Sequence, residues 1–146
     1  MGDLYDPSSN ELYKYAPRSI LKKQISELTN ISKYKLIPDY YLQGASELEF
    51  FLFEKKYSEN LKNGLKNNEF YGSQVEDYLI LQGDRYEHIM EKFRTCLSKS
   101  GIVVESSKGE ASIGQHEINI KYSEVLDMSD KILALKMVYS KIYLVS

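Results

Sequence analysis

Several classes of protein are excluded by what this chain lacks. It has a single cysteine, Cys96, so no disulfide can form within the chain, which is typical of a reducing compartment. No apolar run reaches the roughly 20 residues that a membrane-spanning helix needs. The segment from Met1 to Leu4 offers neither the basic nor the apolar stretch of a signal peptide. The sequence therefore favours a cytoplasmic protein that has no membrane partner.

The charge of the chain has little bias. The lysines and arginines number 19 and the acidic residues 21, giving a formal net charge of −2, and the basic residues form no stripe. Because nucleic-acid binding depends on such a stripe to neutralise phosphates, we expect no nucleic-acid partner. With 146 residues, of which 42% are hydrophobic, the chain is long enough to bury the core of one domain.

Three segments have the periodicity and the end signals of helices. Pro17 opens the first, because a missing N–H is harmless in the first turn, and apolar spacing carries it to about residue 31. Asp84 and Glu87 form a capping-box pattern before the second helix, and Gly101 marks its expected end. In the third helix, apolar residues recur at intervals of four and three residues between residues 128 and 142, and Asp127 is the expected N-cap.

The segments between these helices have the composition of strands. Residues 45–53 are dense in Phe and Leu, residues 102–105 form a second short run, and residues 118–122 alternate apolar with polar side chains. Residues 57–75 are polar and rich in asparagine, and we interpret them as an insertion that is a long loop with at most a short helix. Strands and helices are interleaved without a glycine-rich phosphate loop, which indicates an α+β fold with a mostly antiparallel sheet and flanking helices.

Four glutamates stand in or beside the strand-like segments. Glu47 and Glu49 lie two apart in one strand, so they share a face at a spacing of roughly 7 Å. Glu110 and Glu117 can converge only if the chain bends between them, and Gly114 supplies that option. Acidic side chains in apolar surroundings are costly unless a cation lies between them. Ligation by carboxylates alone suits Mg²⁺ or Mn²⁺, so the pattern favours a site for such ions.

Simpler interpretations of the same residues stay open. Two glutamates at alternate strand positions are also what the solvent face of any half-buried sheet shows. His116 could be a ligand, but strand alternation points it away from Glu117. Lys108, between Ser107 and Gly109, could meet a phosphate or a carboxylate, or cap a turn.

The order of these segments resembles the glutamine synthetase family. The resemblance covers residue 17 to about residue 141, and the order and spacing of the motifs together make it specific. The motifs are an E-x-E-F-F-L-F strand at residues 46–53, a G-x-x-V-E strand at 101–105, a G-Q-[HN]-E block at 114–122, and an A-D-A-L-x-x-A-D-like stretch at 123–131.

The resemblance implies a ligase that forms a carbon–nitrogen bond. The family makes a γ-glutamyl phosphate from glutamate and ATP, and an amine then displaces the phosphate. Two divalent ions, Mg²⁺ or Mn²⁺, polarise the transferring group and hold the glutamate. The implied partners are small molecules, namely glutamate, ATP, and ammonia or another amine, together with further copies of the chain in a homo-oligomer. Residues 1–146 would form part of the catalytic domain, with residues 57–75 as an insertion within it.

The resemblance also implies roles for individual residues. By motif position, Glu49, Glu110 and Glu117 would hold the ion nearer the substrates, and Glu47 would be one ligand of the second ion. The nucleotide-binding positions that the motifs imply are Glu105, beside the nucleotide, and Tyr122, beside the adenine.

Two departures from the family limit what is expected of the chain. A His-rich stretch is usual before the position of Glu110, whereas residues 106–109 read Ser-Ser-Lys-Gly, which is similar to a divergent branch whose amine need not be ammonia. The histidine ligand, the glutamate-binding loop, the arginines and a further glutamate of the family would follow residue 146. We therefore expect no catalytic residue within this chain, no turnover by it alone, weak metal binding at best, and self-association through uncovered apolar surface.

The alternative is a chain that does not catalyse a reaction. It could be a metal-binding or subunit-interaction module derived from the family, or a structural fragment without affinity for metal.

Overall fold

A computed structural model describes residues 1–34, 42–54, 57–62, 64, 70–79 and 85–145; of residues 32–34, 57, 60 and 141–145 it describes the backbone only. Within this part, the chain forms four helices and three strands. Their order is α1 (Pro17–Tyr34), β1 (Gln43–Phe51), α2 (Tyr57–Lys62), α3 (Glu87–Lys99), β2 (Val104–Gly109), β3 (Gln115–Glu124) and α4 (Val125–Val145). No helix among the described residues combines the length and apolar character that crossing a membrane requires.

The three strands form one sheet in the order β1-β3-β2. Strands β2 and β3 pair antiparallel, with Lys108 opposite Glu117. Leu52, directly after β1, donates its N–H to the carbonyl oxygen of Gly114, directly before β3, at 2.8 Å. The end of β1 therefore meets the start of β3, and these strands also run in opposite directions. The expected α+β fold with a mostly antiparallel sheet is confirmed.

The chain divides into two compact units, of which the larger takes in Ser46–Lys121 and Leu135–Ser146. Its core includes an aromatic cluster in which the ring centroids of Phe50, Phe93 and Tyr139 lie 4.9 to 5.6 Å apart. The other core residues are the apolar side chains at alternate positions of the strands and at helical spacing along α3. Among the residues that the structure describes, the large side chains that are less than 2% exposed are those of Phe93, Leu97, Ile118, Ile120 and Leu135.

The smaller unit takes in Met1–Ala45 and Tyr122–Ala134. Asp3 accepts hydrogen bonds from Arg18 at 3.1 Å and Lys22 at 2.5 Å, which tie the N-terminal segment to α1. Arg18 also pairs with Asp130 at 3.1 Å, which ties α1 to the start of α4. In this unit, charged side chains bring together segments that are far apart in sequence.

Helix α3 does not begin with the expected capping box. Its first residue is Glu87, and the N-cap residue Tyr86 makes no side-chain capping bond. The carboxylate of Glu87 pairs with Arg94 instead. Asp84 lies outside the described residues. The capping-box prediction is wrong because Glu87 stands at the first helical position rather than the third.

The N-cap predicted for the last helix is also wrong. Helix α4 begins at Val125, and the carboxylate of Glu124 accepts hydrogen bonds from the backbone N–H groups of Leu126, at 3.0 Å, and Asp127, at 3.1 Å. Asp127 lies in the first turn and pairs with Lys131 four residues on. A glutamate at the end of a strand can reach the free N–H groups of the first helical turn. Sequence rules for N-caps favour Ser, Thr, Asp and Asn, so they do not identify this glutamate.

Strand β2 begins and ends later than the sequence predicts. Gly101, with φ +75°, ends α3 as expected, but the N–H of Ile102 donates to the carbonyl oxygen of Leu97 at 2.9 Å. Ile102 therefore completes the helix end, and the strand runs from Val104 to Gly109. This shift matters for the site because it places Lys108 inside the sheet.

Candidate functional site

The β2–β3 hairpin positions two of the candidate glutamates. The N–H of Glu110 donates to the carbonyl oxygen of Gln115 at 2.8 Å and closes the hairpin. Gly114 has φ +71°, and a Cβ at that position would lie 3.0 Å from the carbonyl oxygen of Leu52. Only glycine fits such a backbone next to another strand without strain. The bend that the sequence required between Glu110 and Glu117 is present.

Lys108 lies at the centre of the acidic residues on this face of the hairpin. It stands opposite Glu117, so the two side chains share a face, and its Nζ lies 3.2 Å from Glu117 Oε2. The same ammonium contacts Glu110 and lies 3.4 Å from Asp77 Oδ1. It also lies 5.2 Å from the ring centroid of Tyr78. Three carboxylates and one ring therefore surround a single cation.

The pKa values of Glu110 and Glu117 shift in opposite directions because their carboxyl groups are hydrogen-bonded to each other. Their mutual hydrogen bond and the contact with Lys108 lower the pKa of Glu110 to about 2. The same hydrogen bond, together with burial, raises the pKa of Glu117, whose side chain is only 5% exposed. The hydrogen bond to Glu110 is the largest cause of a raised pKa at Lys108. The pair resembles other closely spaced carboxylates, which ionise at separate pH values and not together.

The first pair of glutamates lies on the exposed face of β1. Glu47 and Glu49 are exposed, whereas Leu48 is half-buried and Phe50 is buried, so the strand alternates as predicted. Glu49 accepts a hydrogen bond from the side chain of Gln115 at 2.7 Å. Because Gln115 and Glu117 are two apart on β3, they share a face of the sheet. All four glutamates therefore lie on the side of the sheet that carries Lys108.

The arrangement on this face fits an ammonium group better than a divalent ion. Across the described residues, no three His, Cys, Asp or Glu side chains are placed so that they could hold one metal ion, and the three carboxylates around Lys108 contact its ammonium group. Glu110 and Glu117 contact each other and Lys108, and Glu49 is bonded to Gln115. Metal ligation by the four glutamates remains a prediction, and it requires these contacts to open.

The two predicted nucleotide-binding residues lie in different compact units. Glu105 is exposed on β2, where the pairing with β3 shifts between Val104 and Ser106. It is therefore the extra residue of a bulge, a feature that commonly redirects a side chain beside an active site. Tyr122, near the end of β3, is 51% exposed. The roles predicted for both residues remain predictions.

Sequence reasoning missed Glu76 and Asp77, which complete the surroundings of the hairpin. Asp77 bridges to Gly109 in a parallel arrangement, and Glu76 is 5% exposed. Burial and a hydrogen bond with Glu76 raise the pKa of Tyr86 to about 12. Tyr86 also lines a cavity of about 260 Å³ together with Glu54, Tyr71, Gly72 and Arg85. Two acidic residues in a loop look like any solvated turn, so no local signal could have identified this pair.

His116 lies on the other face of β3, among aromatic rings. It is 2% exposed, and its ring centroid lies 4.6 Å from that of Tyr86 and 6.2 Å from that of Phe50. Burial lowers the pKa of the imidazole, because the charged form is poorly solvated there. The residue points away from Glu117, as strand alternation predicts.

The burial of His116 predicts a pH dependence of stability. A histidine with a lowered pKa in the folded state contributes stability above its unfolded pKa of about 6.5 and loses it as the pH falls through the folded value. We expect the free energy of unfolding to fall between pH 7 and pH 5, and His116→Phe to remove that component. Urea denaturation at both pH values measures it. His88→Phe at an exposed position is the control, and a pH dependence unchanged by His116→Phe would refute the prediction.

Comparisons with known proteins identify relatives of the chain. The family described as "Glutamine synthetase, catalytic domain" matches residues 14–143. A gamma-glutamylethanolamide synthetase of Streptomyces coelicolor is 32% identical over 80% of this chain and 24% of its own length. A glutamine synthetase of Methanosarcina mazei is 29% identical over 97% of this chain and 29% of its own length. A glutamate–isopropylamine ligase of a Pseudomonas species is 26% identical over 88% of this chain and 26% of its own length.

A solved structure, the GmaS/ADP complex, has the same fold. It matches with a TM-score of 0.69 and 20% identity over 92% of this chain and 28% of its own length. The chain thus spans about a quarter of the length of the proteins it matches.

Proposed function

The chain belongs to the glutamine synthetase family, by a match to its catalytic domain over residues 14–143, and we propose that it is part of an ATP-dependent ligase joining glutamate to an amine. The relatives act on different amines, as the names gamma-glutamylethanolamide synthetase and glutamate–isopropylamine ligase say. The amine used here is proposed to be ammonia or another small primary amine. ATP and glutamate are its proposed co-substrates.

One observation carries this proposal: the β2–β3 hairpin brings Glu110 and Glu117 together on the sheet face that also carries Glu47 and Glu49. The two pairs of glutamates are about 60 residues apart in sequence, one pair on β1 and the other on the β2–β3 hairpin. A solvated sheet face does not require two carboxyl groups in contact with each other, one of them buried. The convergence supports a role as the carboxylate side of the ligase active site.

The proposed roles of the individual residues follow from this face. Glu110 and Glu117 are the carboxylates that a Mg²⁺ or Mn²⁺ ion would meet first, with Glu49 and then Glu47 beside them. Such an ion would supply electrostatic stabilisation of the transferring phosphoryl group. Bulge residue Glu105 is proposed to face the nucleotide. We also propose Tyr122 as an adenine contact and a homo-oligomeric assembly.

The chain by itself is expected not to catalyse the ligase reaction. The family's chemistry depends on positioning glutamate and a phosphoryl group together, and this chain corresponds to about a quarter of its relatives. Incubation with glutamate, ATP, Mg²⁺ or Mn²⁺ and either ammonia or ethanolamine should give no γ-glutamyl amide by mass spectrometry. A product that disappears in Glu117→Gln would contradict this expectation.

A chimera tests the proposed function directly. The chain replaces the matching segment of the Streptomyces relative, and formation of γ-glutamyl amide is measured for the chimera and its variants. We expect activity in the chimera and a loss on the order of 100-fold in Glu117→Gln, as for other groups that position charge at a reaction centre. Glu91→Gln, at an exposed position of α3, is the matched control. A folded chimera whose activity is the same with and without the Glu117 carboxylate would refute the proposal.

A non-catalytic module derived from the family is the second candidate. Lys108 favours it, because a cation already lies between the two carboxylates. This candidate predicts a folded chimera that gives no product, whereas the ligase proposal predicts product.

A further inference from the structure

We propose that Lys108 is the resident cation of the carboxylate site, and that a divalent ion can enter between Glu110 and Glu117 only by displacing its ammonium group. The inference rests on the proposed function, because it concerns the site where that function would place an ion. The inference also goes beyond the proposed function, because it gives Lys108 control over the entry of the metal ion.

The position of Lys108 is fixed by the fold rather than by chance contact. It stands directly opposite Glu117 in the β2–β3 pairing, so its side chain must rise on the same face. Its Nζ lies 3.2 Å from Glu117 and contacts Glu110, with Asp77 on a further side at 3.4 Å. An exposed lysine that forms one ion pair has no such set of partners.

The burial of Glu117 makes a nearby cation favourable for the ionised form of its carboxyl group. With its side chain 5% exposed, Glu117 cannot rely on water for the solvation of a charge. An ionised carboxyl group in such surroundings needs a cation in contact with it. Lys108 supplies this positive charge from the chain itself. It lies at the position where the sequence predicted a divalent ion.

An ion and the ammonium group cannot both occupy this space. Mg²⁺ takes carboxylate oxygens at about 2.1 Å and needs near-octahedral ligands, whereas the Nζ of Lys108 now lies at hydrogen-bond distance from the same oxygens. An ion bound beside the ammonium would also place like charges next to each other, which is unfavourable. Entry of the ion therefore requires the Lys108 side chain to turn away, and its 34% exposure gives it room to do so.

Manganese titration of matched variants tests the inference. The affinity of the purified protein for Mn²⁺ is measured by calorimetry for the wild type, Lys108→Met, the Lys108→Met/Glu117→Gln double variant, and Lys121→Met as an exposed lysine control. We expect Lys108→Met to bind Mn²⁺ at least about tenfold more tightly, a difference of about 1.4 kcal/mol. The double variant should lose that gain, and Lys121→Met should match the wild type.

The other outcomes separate the two proposals. Equal affinity in the wild type and Lys108→Met overturns the role of Lys108 and leaves the metal site standing. A gain that survives Glu117→Gln places the ion elsewhere and also overturns it. No binding by any variant overturns both the metal proposal and this inference.

Chemical labelling gives a second measurement that needs no substitution. Acetylation of individual lysines by an N-hydroxysuccinimide ester is followed by mass spectrometry with and without saturating Mn²⁺. Without Mn²⁺, Lys108 should react more slowly than Lys121, because its ammonium is held by carboxylates. Mn²⁺ should raise the rate at Lys108 several-fold and leave Lys121 unchanged. A rate at Lys108 that Mn²⁺ does not alter would overturn the inference, even if Lys108→Met does not fold.

Discussion

Replacing Phe93 by alanine is expected to destabilise the protein by about 3–5 kcal/mol, which is a large fraction of the total stability of an ordinary domain. The Phe93 side chain is 1% exposed, and its ring packs against Phe50 and Tyr139 at centroid distances of 5.5 and 5.6 Å. Removing it leaves a cavity that α3, the strand β1 and the second half of α4 would have to close together. Urea denaturation followed by circular dichroism measures the loss.

The control for this prediction lies one residue away. Lys92 is exposed on the same helix, so Lys92→Ala tests the effect of an alanine in α3 without loss of core volume. It should change the free energy of unfolding by less than about 0.5 kcal/mol. If Phe93→Ala were no more destabilising than Lys92→Ala, the aromatic cluster would not be the core of this unit.

Replacing Gly109 by alanine is expected to cost about 3 kcal/mol, at the upper end of what overpacking costs. A Cβ on Gly109 would lie 2.5 Å from the Cβ of Glu76 and 3.0 Å from its backbone oxygen. Backbone atoms cannot turn away as a flexible side chain can, so the Glu76–Asp77 segment must move off β2. Thermal unfolding monitored by circular dichroism gives the loss of stability.

The same substitution should alter the carboxylate site. Asp77 bridges to Gly109, and its carboxylate lies 3.4 Å from Lys108. When the segment moves, Lys108 loses this partner, and its acetylation should become faster. Gly2→Ala is the control, because a Cβ on Gly2 meets nothing within 4 Å. A Gly109→Ala protein as stable as the wild type would mean that the close approach of Glu76 to β2 is incorrect.

The sequence predicted the elements of the fold better than their ends. The first helix begins at Pro17 as expected, because proline at a helix start is a local signal. The ends that failed depend on contacts outside the local sequence. Glu124 caps α4 from the end of a strand, and Ile102 stays bonded to Leu97 after α3 has ended. Neither contact could be identified from residue type alone.

In the candidate site, too, local signals predicted correctly and contacts between distant segments were missed. Alternation along a strand predicted the shared face of Glu47 and Glu49, and Gly114 predicted the bend that Glu110 and Glu117 require. The cation between the carboxylates was expected to be a divalent ion, whereas the structure places Lys108 there. Cross-strand register decides this point, because a shift of one residue would turn Lys108 to the opposite face. Register was not readable from the sequence once β2 was predicted to begin at residue 102.

Crystal structures with and without Mn²⁺ would show directly whether Lys108 and a divalent ion compete for the same carboxylates, with anomalous scattering used to locate the ion. Without Mn²⁺, we expect Glu110 and Glu117 to be in contact on one sheet face, with the Lys108 ammonium between them. With Mn²⁺, we expect an anomalous peak between the two carboxylates and Lys108 turned away. Glu110 and Glu117 on opposite faces of the sheet, or a Mn²⁺ ion bound there beside an unmoved Lys108, would contradict these expectations.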